Sequence, residues 1–165
     1  MAPFKGWSGG ANLALAVAAQ SGAVDAVAPF EPGILSLMDE QEQAVAGDAI
    51  AHTGELAANG RLTAAIRAFA RWPFNDEEIA VAEDAGYLEA AGRYVTNLLN
   101  LLQQEMEYEG PSADDPAVLG AISAPVLLLL GSDTKPFFTA SARHVADHVP
   151  NARVHEIPGA GHAAP

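Results

Sequence analysis

The sequence predicts an α/β fold on a mostly parallel sheet, with a helical segment inserted into it. Three observations carry that prediction. The first 33 residues read as strand, tight glycine turn, helix and strand. Residues 34–110 then show apolar residues at helical spacing and no β-branched strand run. From residue 111 the pattern returns to strand, helix and strand.

The opening unit starts with a strand stub before Gly6-Trp7-Ser8-Gly9-Gly10 and continues as an alanine-rich helix, Ala11 to Gln20. A short strand, Val24 to Phe30, follows and is closed by Glu31-Pro32-Gly33. In the middle, helical periodicity runs through Ile34 to Ala51, Leu62 to Trp72 and Tyr87 to Met106. The acidic run Asp76-Glu77-Glu78 marks the first turn of a helix, where negative charge complements the dipole. After the loop Gly110 to Pro116, Pro125 opens the run Val126 to Leu130, whose uniform apolarity suits a parallel strand covered on both faces. A helix from Thr139 to His148 and a last strand, Ala152 to Ile157, complete the pattern. The expected organisation is a core of 1–33 and 111–165 with a helical cap over 34–110.

Composition limits the chemistry. Half of the 165 residues are apolar and 18% are charged, which describes a globular domain able to bury a core. A net charge of −13 repels phosphate backbones and anionic lipid, so a small molecule is expected as partner, with no nucleic acid and no membrane. There is no cysteine, which removes thiolate nucleophiles and thiolate metal sites and leaves catalysis to Ser, His, Asp or Glu. The N-terminus lacks the apolar run of a signal peptide, and the expected location is cytoplasmic.

The chemistry-bearing element is Gly6-Trp7-Ser8-Gly9-Gly10. A serine on a sharp strand-to-helix turn needs small neighbours, because the strained backbone brings flanking residues together. The turn lifts the Ser8 hydroxyl clear of the sheet, and the Gly9 N–H at the helix N-terminus can point at a developing oxyanion. Alone the pentapeptide is weak evidence. It is joined at the other end of the chain by Pro158-Gly159-Ala160-Gly161-His162, a histidine on a glycine loop after the last strand. Such a loop can reach a serine at a neighbouring strand's carboxyl end, where open α/β sheets place their sites.

Gly6 to Asn12, Phe30-Glu31-Pro32, Ala124-Pro125-Val126 to Gly131-Ser132-Asp133, and Pro158 to His162 together resemble successive landmarks of the α/β-hydrolase family over nearly the whole chain. The resemblance implies a partial α/β-hydrolase fold with residues 34–110 as its cap. It also implies Ser8 as nucleophile, His162 as general base and then acid, Gly9 as one oxyanion donor, and no metal or organic cofactor.

The triad acid stays open between two carboxylates. Many family members place it three residues after the glycine ending the strand, but that position here is Thr134, while Asp133 lies two residues after Gly131. Glu31, after the preceding strand, is the alternative, since some relatives supply the acid from there. Asp133 is favoured.

The family's strands before the elbow, and the loop giving a second oxyanion donor, have no counterpart in the sequence. Met1 to Lys5 makes a poor central strand because Pro3 removes a ladder hydrogen bond and Lys5 brings a charge. The chain also ends at Ala163-Ala164-Pro165, before the family's usual terminal helix. The expectation is therefore a fragment of about four strands, with an exposed elbow-strand edge that invites a second copy.

Lesser candidates have blander readings. Trp7 lines the acyl pocket or packs beneath the cap. His144 and His148 have metal-ligand spacing but lack the glutamate of a zinc-protease helix, so a solvated helix face is expected and no metal. Phe69, Trp72, Tyr87 and Tyr94 fall at helical core positions. The function expected is a serine hydrolase acting on an ester or related acyl bond of a small molecule. The alternative is a non-catalytic remnant acting as a binding or interaction module. Haloperoxidase-like and related reactions on the same triad stay open, because a fold does not fix its reaction.

Overall fold

A computed structural model describes residues 4–163. The expectations placed on Pro3 and on Ala164-Pro165 lie outside the described residues. The described chain divides into two compact units, one of residues up to Met38 together with those from Gly110 onward, the other Asp39–Glu109. The boundary expected at 34 thus falls at 39. Ile34 and Met38 are buried, and Leu35–Leu37 forms a single 3-10 turn instead of the start of a helix.

The first unit is a four-stranded, wholly parallel sheet in sequential order: β1 (Phe4–Trp7), β2 (Val27–Phe30), β3 (Val126–Gly131) and β4 (Ala152–Ile157). Helix α1 (Gly9–Gln20) joins β1 to β2, and α8 (Pro136–His148) joins β3 to β4. Short α7 (Pro116–Gly120) precedes β3. Helix α8 begins three residues before the expected start, with Pro136 at its first position, where a missing N–H costs nothing.

The core of this unit lies on one sheet face. Ala14, Leu15 and Ala18 of α1, Val27, Val126 and Leu128 of the strands, Leu119 and Ile122 around α7, and Val145 and Val149 of α8 form one cluster. Alternation along β3 explains it: Val126, Leu128 and Leu130 are buried, whereas Leu127 on the other face is 44% exposed. The expectation that both faces of this strand are covered fails within the described residues. Strand β1 forms one edge of the sheet and β4 the other.

The second unit holds five helices among the described residues: α2 (Glu40–Ala58), α3 (Leu62–Ala70), α4 (Asp76–Asp84), α5 (Tyr87–Gly92) and α6 (Val95–Glu107). Capping boxes open two of them. Asp39 and Glu42 exchange side-chain and backbone bonds ahead of α2, and Asn75 and Glu78 do so ahead of α4, so the acidic run sits in a first turn as expected. The single helix expected from Tyr87 to Met106 is two, separated at Arg93-Tyr94. Leu56, Ala65, Ile66, Ala68, Ala82, Leu88 and Val95 form the core of this unit. Phe69 and Trp72 meet edge-on at 5.6 Å, while Tyr87 and Tyr94 are exposed. No described helix is long and apolar enough to cross a membrane.

Candidate active site

Parallel register brings the site residues to one level. Trp7 pairs with Phe30, and Phe30 with Leu129, so Ser8 and Glu31 each follow the last residue of adjacent strands. The ladder continues past both strand ends, with Ser8 N–H donating to Phe30 O at 3.0 Å and Glu31 N–H to Leu129 O at 3.0 Å. Adjacent strands lie ~5 Å apart, so the two side chains start from neighbouring positions at the sheet's carboxyl edge.

Both residues have unusual backbones. Ser8 has φ 55° and ψ −124° and stands immediately before α1. Glu31 has φ 43°, and these are the only non-glycine residues with positive φ among those described. Left-handed backbone at such residues costs on the order of 1–3 kcal/mol each and persists only where surroundings enforce it. At Ser8 the enforcement is visible: a Cβ at Gly6 would sit 2.1 Å from Gly10 O, so only glycine lets strand and helix approach so closely. Gly9 opens α1, so its N–H belongs to the first turn, which has no partner within the helix.

Glu31 is wholly buried, yet hydrogen bonds satisfy its carboxylate. Oε1 accepts from the Gly131 N–H at 2.8 Å, and Oε2 accepts from the Thr134 hydroxyl at 2.8 Å. His162 Nδ1 meets the same Oε2 at 2.7 Å, and the imidazole is also buried. With Glu31 as a carboxylate, which only accepts, Nδ1 donates in this contact and Nε2 is the nitrogen left to act as a base.

Rings and backbone hold His162 in place. Phe138 of α8 stacks on it at 3.7 Å with planes 13° apart, and Trp7 and Phe30 lie at 5.6 and 6.5 Å. Trp7 donates its indole N–H to His162 O at 2.8 Å, so this tryptophan ties the histidine loop to β1 while remaining 38% exposed. That loop crosses back over the end of β3. Asp133 N–H donates to Ala160 O at 2.9 Å, and a Cβ on Gly131 would lie 2.2 Å from Ala160 O.

Of the two carboxylates considered for the acid, Glu31 makes the contact to Nδ1. Asp133 is exposed, and its Oδ1 accepts from the Ser132 hydroxyl at 3.0 Å. The loop carrying Asp133 serves Glu31 through Gly131 and Thr134 instead. Sequence reasoning missed Thr134 as a donor, Phe138 as a stacking plate and Asn12 as a brace. Asn12 Nδ2 donates to Gly33 O at 2.9 Å, and buried Ser141 accepts the Ile34 N–H at 3.3 Å, so α1 and α8 together fix the segment after Glu31. For Asn12 and Phe138 the available signal was a position in the first turns of the helices that follow β1 and β3, whereas Thr134 lies on the loop before α8 and carries none.

His144 and His148 lie apart from this group. Their rings are 4.5 Å apart, His144 Nε2 bonds Asp114 O at 3.1 Å and His148 Nδ1 bonds His144 O at 2.8 Å. Hydrogen bonding from Ser112 holds the Asp114 carboxyl below its usual range, with Ser36, its own backbone and the nearby His144 adding to this against the opposing effect of burial. Among the described residues no group of three or more His, Asp or Glu could hold a metal ion.

Solved structures that this chain resembles include α/β-hydrolases. An α/β-hydrolase from Sphaerobacter thermophilus superposes with TM-score 0.71 at 24% identity, covering 92% of this chain and 58% of its own. An α/β-hydrolase enzyme from a Medee basin deep-sea metagenome library gives 0.64 at 19% identity, covering 96% and 57%. A putative non-heme bromoperoxidase, BpoC, from Mycobacterium tuberculosis gives 0.52 at 23%, covering 97% and 59%. No family model matches the sequence, and no curated protein does. The chain has the α/β-hydrolase fold in part, spanning somewhat less than two thirds of the length of these neighbours.

Proposed function

We propose that the chain carries the acyl-transfer site of a serine hydrolase acting on an ester or related acyl bond of a small molecule. The observation that carries this reading is the buried His162–Glu31 contact at 2.7 Å, formed at the sheet edge where Ser8 stands on a strained turn. Ser8 Oγ attacks the acyl carbonyl as His162 Nε2 takes its proton. The Gly9 N–H faces the developing oxyanion, and the proton passes to the leaving alkoxide. Water, deprotonated by the same nitrogen, then releases the acid and restores Ser8. Glu31 is the orienting acid of this reading. It fixes the tautomer and stabilises the imidazolium, the part first assigned to Asp133. Trp7 serves by holding His162, and its exposed ring face is available to substrate.

The test is turnover of short-chain p-nitrophenyl esters. The expected outcome is saturable hydrolysis that falls to the uncatalysed rate in Ser8→Ala. Equal rates for parent and Ser8→Ala would instead favour the fold as a binding module.

A further inference from the structure

The geometry points to Thr134 as a positioning residue that sets how strongly Glu31 acts on His162. This inference rests on the reading of Glu31 as the orienting acid. Glu31 Oε2 takes two donors, the Thr134 hydroxyl at 2.8 Å and His162 Nδ1 at 2.7 Å, while Oε1 is held by the Gly131 N–H at 2.8 Å. Gly131 fixes one end of the carboxylate. Thr134 fixes the other and shares the oxygen that faces the imidazole.

A hydroxyl on the charged form of a carboxylate neutralises part of its charge. With the hydroxyl present, Oε2 divides its acceptor strength between Thr134 and His162. Without it, the whole charge falls on Nδ1–H, and the carboxylate plane loses one of its two non-histidine anchors. Thr134 therefore does two things through Glu31: it aims Oε2 at Nδ1 and moderates the basicity of His162. The rings packed on the imidazole, Trp7, Phe30 and Phe138, carry no charge to mask this. The neighbouring ionisable groups on the Thr134 loop are Asp133, which takes the Ser132 hydroxyl, and Lys135 at the N-cap of α8. Neither changes in the variants below.

The experiment is a pH titration of the His162 ring by NMR on the full chain with 15N-labelled histidine, assigned with His162→Gln. Parent, Thr134→Ser, Thr134→Val and Thr134→Ala are compared, with circular dichroism confirming the fold. The expected result is one midpoint shared by parent and Thr134→Ser, with Val and Ala both raised by about half to one pH unit. Agreement of all four midpoints, or a Ser variant that behaves like Val, would overturn the assignment. The titration needs no turnover, so an inactive chain would count against the hydrolase reading and leave this result standing. If the chain is active, the Val variant is expected to lose about tenfold in rate and the Ser variant to retain it.

Discussion

The loops after β2 and β3 are alike in sequence, since each follows a parallel strand and offers a carboxylate, yet they differ in the structure. Glu31-Pro32-Gly33-Ile34 is buried throughout, opens on a left-handed glutamate and is braced by Asn12 and Ser141. Ser132-Asp133 is exposed and turns its carboxylate to a neighbouring hydroxyl. The difference shows what a carboxylate needs in order to meet a buried imidazole. Burial raises the worth of a hydrogen bond to an ion, and donors must hold both oxygens before the charge can be tolerated there. Glu31 has that cradle, and the other loop supplies it.

The substitution that strikes this contrast hardest is Glu31→Gln. An amide at this position keeps the shape but no longer stabilises the imidazolium, and acyl transfer should fall by about four orders of magnitude, read as kcat on an aryl ester. Gly131→Ala comes next. Its Cβ would meet Ala160 O at 2.2 Å and Glu31 Oε1 at 3.1 Å, forcing the two loops apart. A loss of about 2–3 kcal/mol is expected in denaturant unfolding, with activity falling alongside.

Asp114 repeats the hydroxyl-on-carboxylate chemistry at a half-exposed position, where Ser36 donates to it at 3.0 Å. Its carboxyl lies below the ordinary range, so its contribution to stability is present above the unfolded value of about 4 and is lost as pH falls through the lowered folded value. Asp114→Asn should cost less than about 1 kcal/mol at neutral pH, and the gap from the parent should close on acidification below about pH 4. A gap that persists in acid would show packing at work, not charge. The smallest effect is expected from Asp133→Asn, which should leave activity within about twofold of the parent.

Much of this arrangement was legible before the structure. Strand β4 runs from Ala152 to Ile157 as the sequence suggests, and Ser8 and His162 fall on the expected turn and loop. Local patterns of glycine and apolar run fix such features. The segment from Ile34 to Met38 misled because its apolar residues imitate helical spacing while packing as an irregular turn, although Asp39 and Glu42 mark the true helix start. Which of the two carboxylates meets His162 was not legible from spacing. It depends on the positive φ of Glu31 and on the reach of Thr134 from a residue 103 positions away, and neither leaves a local sequence signal.

The central claim is that Ser8 is an activated nucleophile, and covalent labelling by a fluorophosphonate followed by peptide mapping tests it most directly. The account predicts stoichiometric modification of Ser8, absent in Ser8→Ala and slowed by orders of magnitude in Glu31→Gln. A folded chain in which Ser8 is not modified would contradict it.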